Sequence, residues 1–182
     1  MFPESSIWKV ILLVLVVGVF GFLAYVATRP DTFRVSRSLT IQASPEKLFP
    51  MINEMMAFNQ WNPYQKKDPN IKGTYSGPAA GPGATYQFEG NKEAGKGSIA
   101  ITGATANTQV AMALKMTEPV EISNALAFTI QSDGPASRVT WAMEGPLPYL
   151  FKMVHVFINM DKMVGSDFEA GLASLKALAE KP

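Results

Sequence analysis

The sequence predicts an α+β fold preceded by one membrane-spanning helix. Three observations carry this reading. Residues 10–27 form an apolar run without a charge. Short segments of alternating apolar and polar residues follow one another through the middle of the chain. The last stretch, from about residue 159, repeats apolar residues at spacings of three and four.

The apolar run comes first. It approaches the roughly 20 residues a helix needs to cross a bilayer core. Trp8 and Tyr25 sit near its two ends, as interfacial aromatics do. Residues 7–28 are therefore read as a transmembrane anchor. A cleaved signal peptide is the alternative. However, the run exceeds a usual signal core, and the exit Tyr25-Val26-Ala27-Thr28-Arg29-Pro30 offers no clean small-x-small site. A buried core helix is a third reading, but such a helix is rarely apolar on every face. Lys9 precedes the run, whereas Arg29, Arg34 and Arg37 follow it, so the positive-inside bias favours a cytoplasmic C-terminal domain.

Pro30 stops that helix. Phe33, Val35, Leu39 and Ile41 then alternate with polar residues as a first strand, with Arg37 in an apolar-parity slot. Ser44-Pro45-Glu46 supplies an N-cap, a proline in the first turn and an acid beside the helix N-terminus. Pro50 interrupts the apolar face that follows, so two short helices are expected, ending at Trp61-Asn62-Pro63-Tyr64. Strands are predicted over 71–76, 84–88, 98–102, 110–114, 126–130 and 139–143. Turns lie at 77–83, 90–95, 106–107 and Asp133-Gly134, and Glu118-Pro119 breaks the pattern once. Short turns between successive strands make an antiparallel meander. In the terminal segment, Met160, Val164, Phe168, Leu172, Leu175 and Leu178 face Asp161, Lys162, Glu169, Lys176 and Glu180. This helix covers one face of the curved sheet.

Composition narrows the function classes. The 182 residues are 47% apolar and 17% charged, which excludes disorder as the main state. Sixteen Lys+Arg against fifteen Asp+Glu give a net charge of +1, so the chain as a whole carries no strong nucleic-acid footprint. Zero Cys excludes disulfides and thiol catalysis, and one His excludes a two-His zinc site.

The order of elements resembles the START-like, helix-grip superfamily (SRPBCC), within it the bacterial polyketide cyclase/dehydrase and lipid-transport group. The matching residues include Ser44-Pro45-Glu46-Lys47-Leu48-Phe49, Trp61-Asn62-Pro63, Asp68-Pro69, Gly95-Lys96-Gly97 and Val139-Thr140-Trp141 with Glu144-Gly145. In the final helix they are Gly165, Asp167-Phe168-Glu169, Gly171-Leu172 and Leu175-Lys176. The resemblance covers about residues 33–180 and makes 33–182 a START-like ligand-binding domain. It implies a deep apolar cavity between the sheet and the terminal helix, and a bacterial inner-membrane location for an anchored member. It also implies two possibilities for activity: binding of a hydrophobic or amphipathic molecule, or cyclase or dehydratase chemistry on a polyketide-like substrate. Under that resemblance, Tyr86, Phe88, Met112, Phe128, Trp141 and Met143 on the strands are candidate ligand-lining residues. So are Met160, Met163 and Phe168 on the last helix, and Trp61 and Tyr64 at the expected cavity mouth.

Reactive groups are sparse. Residues 90–97 nearly match a phosphate-binding loop, but they join two predicted strands and lack the Ser/Thr after Lys96, so a hairpin turn is expected. His155 lies in an apolar segment, 147–158, without a partner at local spacing. That segment is too short to span a bilayer; packing on the sheet, a lid, and contact with lipid beside the anchor are the readings open to it. Glu89 and Glu144 alternate with Phe88 and Met143 and so project away from the apolar rows unless a bulge intervenes. Asn159 and Asp161 are possible polar contacts near the helix start. No acid/base pair, nucleophile, metal site or cofactor site is legible. Ligand binding at a membrane is therefore the leading reading, with an enzyme and a membrane-tethered interaction module as alternatives. An inward titratable pair would favour the enzyme, and a fully packed interior the interaction module.

Overall fold

The computed structural model describes residues 4–156 and 159–181; the side chains of residues 4–6 and of His155 lie outside that description. The chain forms two compact units, Met1–Thr32 with Leu147–Asn159, and Phe33–Pro146 with Met160–Pro182.

In the first unit, α1 (Glu4–Ala27) contains the 21-residue apolar stretch Ile7–Ala27. From Ile7 to Phe20 its large apolar side chains are exposed on every face, whereas Phe22 and Leu23 are half-buried and Val26 is buried. That surface and length suit a bilayer span and are equally those of a signal sequence. The same unit holds a short helix at Tyr149–His155, so the apolar segment near residue 150 groups with α1.

The second unit is built on seven strands: β1 (Thr32–Ile41), β2 (Lys72–Ser76), β3 (Thr85–Glu89), β4 (Lys96–Thr105), β5 (Gln109–Glu118), β6 (Ile122–Asp133) and β7 (Ala136–Pro146). Their spatial order is β1-β7-β6-β5-β4-β3-β2. The strands from β2 to β7 form an antiparallel meander, and β1 joins its far edge beside β7. The β6–β7 turn holds Gly134 at φ 61°, the left-handed region a tight hairpin demands. Residues 90–95 turn β3 into β4, with Gly90 N–H donating to the Gly95 carbonyl at 2.8 Å. The near match to a phosphate loop is thus a hairpin. Buried Asp68 fixes that turn by accepting from Asn91 N–H at 2.7 Å.

Between β1 and β2 lie three short helices where two were expected: α2 (Pro45–Asn53), α3 (Met55–Trp61) and α4 (Pro63–Lys67). Pro50 sits inside α2, and the break falls at Glu54 instead. The reason is tertiary: Gly81 N–H donates to Asn53 O at 3.1 Å and Met55 N–H to Ala79 O at 3.3 Å. The 77–83 loop therefore draws Glu54 into extended backbone.

The short Tyr149–His155 helix of the first unit is α5, and the long helix that ends the second unit is α6 (Met160–Ala179). Helix α6 buries Val164, Phe168, Leu172 and Leu175 against the core. Two buried glycines interrupt its propensity, each at a cost of roughly 1 kcal/mol relative to Ala. Both are explained by close approach. A Cβ on Gly171 would lie 2.6 Å from the Trp141 ring and 3.0 Å from Pro63. Gly165 lies under the Arg37 guanidinium.

Arg37 explains its odd parity. From β1 it reaches α6, donating from Nε to Glu169 at 2.7 Å and from Nη2 to Asp161 at 2.9 Å. At the other end, Glu180 accepts from Gln42 N–H at 2.7 Å and from Lys176 Nζ at 2.6 Å. Hydrogen bonds from Arg37 hold the Asp161 carboxyl below the usual aspartate range. Those from Lys176 and then Gln42 do the same for Glu180. A carboxylate that binds protons more weakly folded than unfolded stabilises fully above its unfolded pKa, and that contribution is lost as pH falls through the depressed folded value.

Two outcomes follow for stability. Gly171→Ala is expected to destabilise the fold by about 1–3 kcal/mol, because neither the indole nor Pro63 can yield cheaply; chemical denaturation measures it. Melting temperature is expected to fall on acidification below the carboxylate range, and Arg37→Gln to flatten that acid limb; thermal melts from neutral to strongly acidic pH measure both.

Candidate functional site

The inward rows of the sheet build the site. On β6, Leu126, Phe128 and Ile130 alternate inward; on β7, Val139, Trp141 and Met143 do the same. Antiparallel register sets Phe128 opposite Trp141 and Leu126 opposite Met143, while Met112 on β5 lies opposite Leu126. Helices α3 and α6 close over these rows.

Five rings meet there. Trp141 stacks on Phe168 with centroids 4.1 Å apart and planes at 9°. Phe128 lies 5.0 Å from Trp141, and Trp61 stands edge-on to it at 5.7 Å. Phe58 meets Trp61 at 4.9 Å in the same edge-on manner. Offset stacking and edge-to-face contacts are the arrangements that the ring quadrupole favours. The two indoles differ in one respect. Trp61 Nε1 donates to Met51 O at 2.8 Å. Trp141 Nε1, though fully buried, has no partner among the described residues. An unpaired buried donor costs about 1–3 kcal/mol, and such a group calls for an explanation.

Asn124 adds a second polar group. It lies in the same inward row of β6, is buried, and its Nδ2 points at Met143 Sδ from 3.8 Å, a weak contact. A Cβ on Gly145 would fall 2.0 Å from Asn124 Oδ1, so glycine makes room for the carboxamide. Asn124 was not among the sequence-based candidates, although its parity with Leu126 and Phe128 carried the signal.

The other candidates are distributed around this nest. Met112, Trp141, Phe128, Phe168 and Trp61 are fully buried, and Met143 is nearly so. Tyr86 is buried on β3, accepts from Gln65 Nε2 at 2.9 Å and stacks with half-buried Phe88 at 6.1 Å. Met160 is half-buried, whereas Met163 is 52% exposed and stands on the outer side of α6. Asp161 serves the Arg37 clamp at the surface, and Asn159 is exposed.

Tyr64 belongs to a polar group joining α4 and α6. Lys67 Nζ donates to Asp167 at 2.7 Å and lies 4.8 Å from the Tyr64 ring centre. Burial, then the Asp167 charge and its hydrogen bond, push the Tyr64 hydroxyl well above the usual tyrosine range. It therefore stays protonated at neutral pH, a donor held by Asp167 and unsuited to act as a base. Glu89 and Glu144 are exposed and pair outward with Lys96 and Arg34. The pairing of β3 with β4, and of β6 with β7, is in continuous register at both positions. Among the described residues, no group of acidic or histidine side chains could hold a metal ion.

A seven-stranded antiparallel sheet gripping one long helix defines the helix-grip class. Residues 32–180 match the family model described as polyketide cyclase / dehydrase and lipid transport, and the chain belongs to that family. A search among curated proteins returns no match. Among solved structures, the chain is similar to protein CV1439 from Chromobacterium violaceum at 14% identity and TM-score 0.58, covering 85% of this chain and all of that one. The structure of Ara h 8.0201 matches at 12% identity and TM-score 0.57, over 81% of this chain and 97% of that one. DynU16, from the dynemicin biosynthetic locus, matches at 12% identity and TM-score 0.58, over 84% of this chain and 48% of that one. At such identities the likeness establishes the fold alone.

Proposed function

We propose that this protein is retained in a membrane by α1 and that its helix-grip domain binds an amphipathic small molecule. The observation that carries the ligand reading is the unpaired Trp141 Nε1 at the centre of the aromatic nest. A ligand with an apolar body and a carbonyl or hydroxyl oxygen would satisfy that donor, and Asn124 would supply a second polar contact. The residues already placed around the nest are its walls: Trp61, Phe128, Phe168, Met112 and Met143 at the centre, Tyr86 and Phe88 beside them, Met160 at the rim. Methionines let such a wall reshape as rings part to admit a guest. Lipids and polyketide-like compounds both fit this chemistry. Binding without conversion fits the side chains near the nest, where the Tyr64 hydroxyl is held protonated.

A second reading has its own support. The rings touch one another, as in an ordinary packed core. A membrane-tethered interaction module would have such an interior.

Native mass spectrometry of the full chain, released from detergent micelles, separates the two. A co-purified or added lipid or aromatic compound is expected on the wild-type protein, with occupancy reduced several-fold in Trp141→Phe, about what loss of one buried hydrogen bond gives. Apo protein throughout lipid and aromatic panels would favour the interaction module.

The basic residues after α1 support a cytoplasmic domain at a bacterial inner membrane. A reporter fused after Pro182 is expected to be active only in its cytoplasmic form; activity confined to the outer side would reverse the orientation.

A further inference from the structure

The short helix α5 has its polarity the wrong way round for water. Leu150 is 70% exposed and Val154 47%, and four-residue spacing puts them on one face. Lys152 lies two residues from each, about 200° around the helix, and is buried. A surface helix in water turns its apolar stripe inward and its lysine outward. Here the lysine is turned in and the leucine out.

The inward face is fastened to the end of α1. Lys152 Nζ donates to Arg29 O at 2.8 Å and pairs with the Asp31 carboxylate. Tyr149 Oη donates to Leu23 O at 2.7 Å, and Leu147 N–H to Asp31 O at 2.6 Å. The lysine charge is thus matched where it is buried, leaving the opposite face apolar. Around the same end of α1, Arg29 lies over the Tyr25 ring, 4.6 Å from its centre. Tyr25, Arg29 and Tyr149 together have the makeup of a membrane-interface belt.

We propose that α5 is an interfacial helix: its Leu150–Val154 face lies in the headgroup and upper acyl region of the bilayer, held level with the end of α1 by the Lys152–Asp31 strap. Seven residues cannot span a bilayer but can lie in its surface. The occupant is a lipid surface because the exposed apolar face is tied to the end of a helix whose large apolar side chains from Ile7 to Phe20 are themselves exposed. The inference rests on reading α1 as a retained span, since a cleaved segment could not hold α5 through Leu23.

The chain has no cysteine, so single introduced thiols label cleanly. Full-length Leu150→Cys, Val154→Cys, Val17→Cys and Lys92→Cys proteins would carry an environment-sensitive nitrobenzoxadiazole dye in phosphatidylcholine/phosphatidylglycerol vesicles. Lipids with a nitroxide at a shallow or a deep acyl position would quench it. Shallow quenching is expected at 150 and 154, deep quenching at 17, and none at 92. Adding Lys152→Met is expected to lower quenching at 150 and 154 towards that at 92. Quenching at 17 without any at 150 and 154 would overturn the interfacial helix while leaving the span intact. No quenching at 17 would remove the span and the inference with it. A blue shift at 150 without quenching would assign the face to a protein partner instead. Unchanged quenching in the Lys152→Met background would overturn the strap.

Discussion

The stack of Trp141 on Phe168 fixes how closely the long helix lies on the sheet. Centroids 4.1 Å apart leave no slack between β7 and α6. Gly171 is the concession that makes this separation possible, because any Cβ there would meet the indole. From that contact the rest follows in order. Phe128 and Trp61 pack on the same indole, α3 is positioned by Trp61, and the Trp61 indole in turn donates to the α2 residue Met51. Dispersion between the five rings is individually small but accumulates over their large buried areas. Arg37 and Glu180 then hold the two ends of α6 by charge, outside the apolar interior.

Much of this was legible in the sequence. Alternation located the strands from β3 to β7 because one face of each is buried, and period-two burial leaves its mark directly in residue order; β2 is exposed along its whole length. The terminal helix was legible for the same reason at its own period. The break between α2 and α3 was not. Pro50 looked like the interruption, yet the interruption comes from the 77–83 loop further along the chain, which hydrogen-bonds to Asn53 and Met55. Local propensity cannot report a contact made across the fold. Arg37 stood out as a violation of alternation, and the violation turned out to mark the clamp onto α6.

The candidate site was legible to a lesser degree. Aromatic and methionine positions could be assigned to inward rows, and most of them are buried. Which rings touch, and which polar atom among them lacks a partner, depends on register between strands and on the helix above them. Trp61 and Trp141 read alike in sequence, but only one indole finds a carbonyl. Met163 stood beside Met160 as a candidate lining residue, yet it lies one residue, about 100° of helix rotation, from buried Val164 and so falls on the exposed side. Asn124 lies before the expected strand at 126–130, whereas β6 begins at Ile122 and carries the inward row back to it.

The strand at the start of the domain is tied to the helix at its end. Arg37 reaches Asp161 across 124 residues of sequence, and Gln42 reaches Glu180 across 138. Contacts of such separation reward the chain only after the whole intervening loop has been closed. The β2–β7 meander, by contrast, assembles from neighbours through short turns. The step in which β1 joins the edge of the sheet and α6 settles on it therefore carries the larger loop-closure cost. Until that step is complete, the inner row of aromatics stands open on one side, and the same surfaces that later hold the core together are those through which nascent chains would associate.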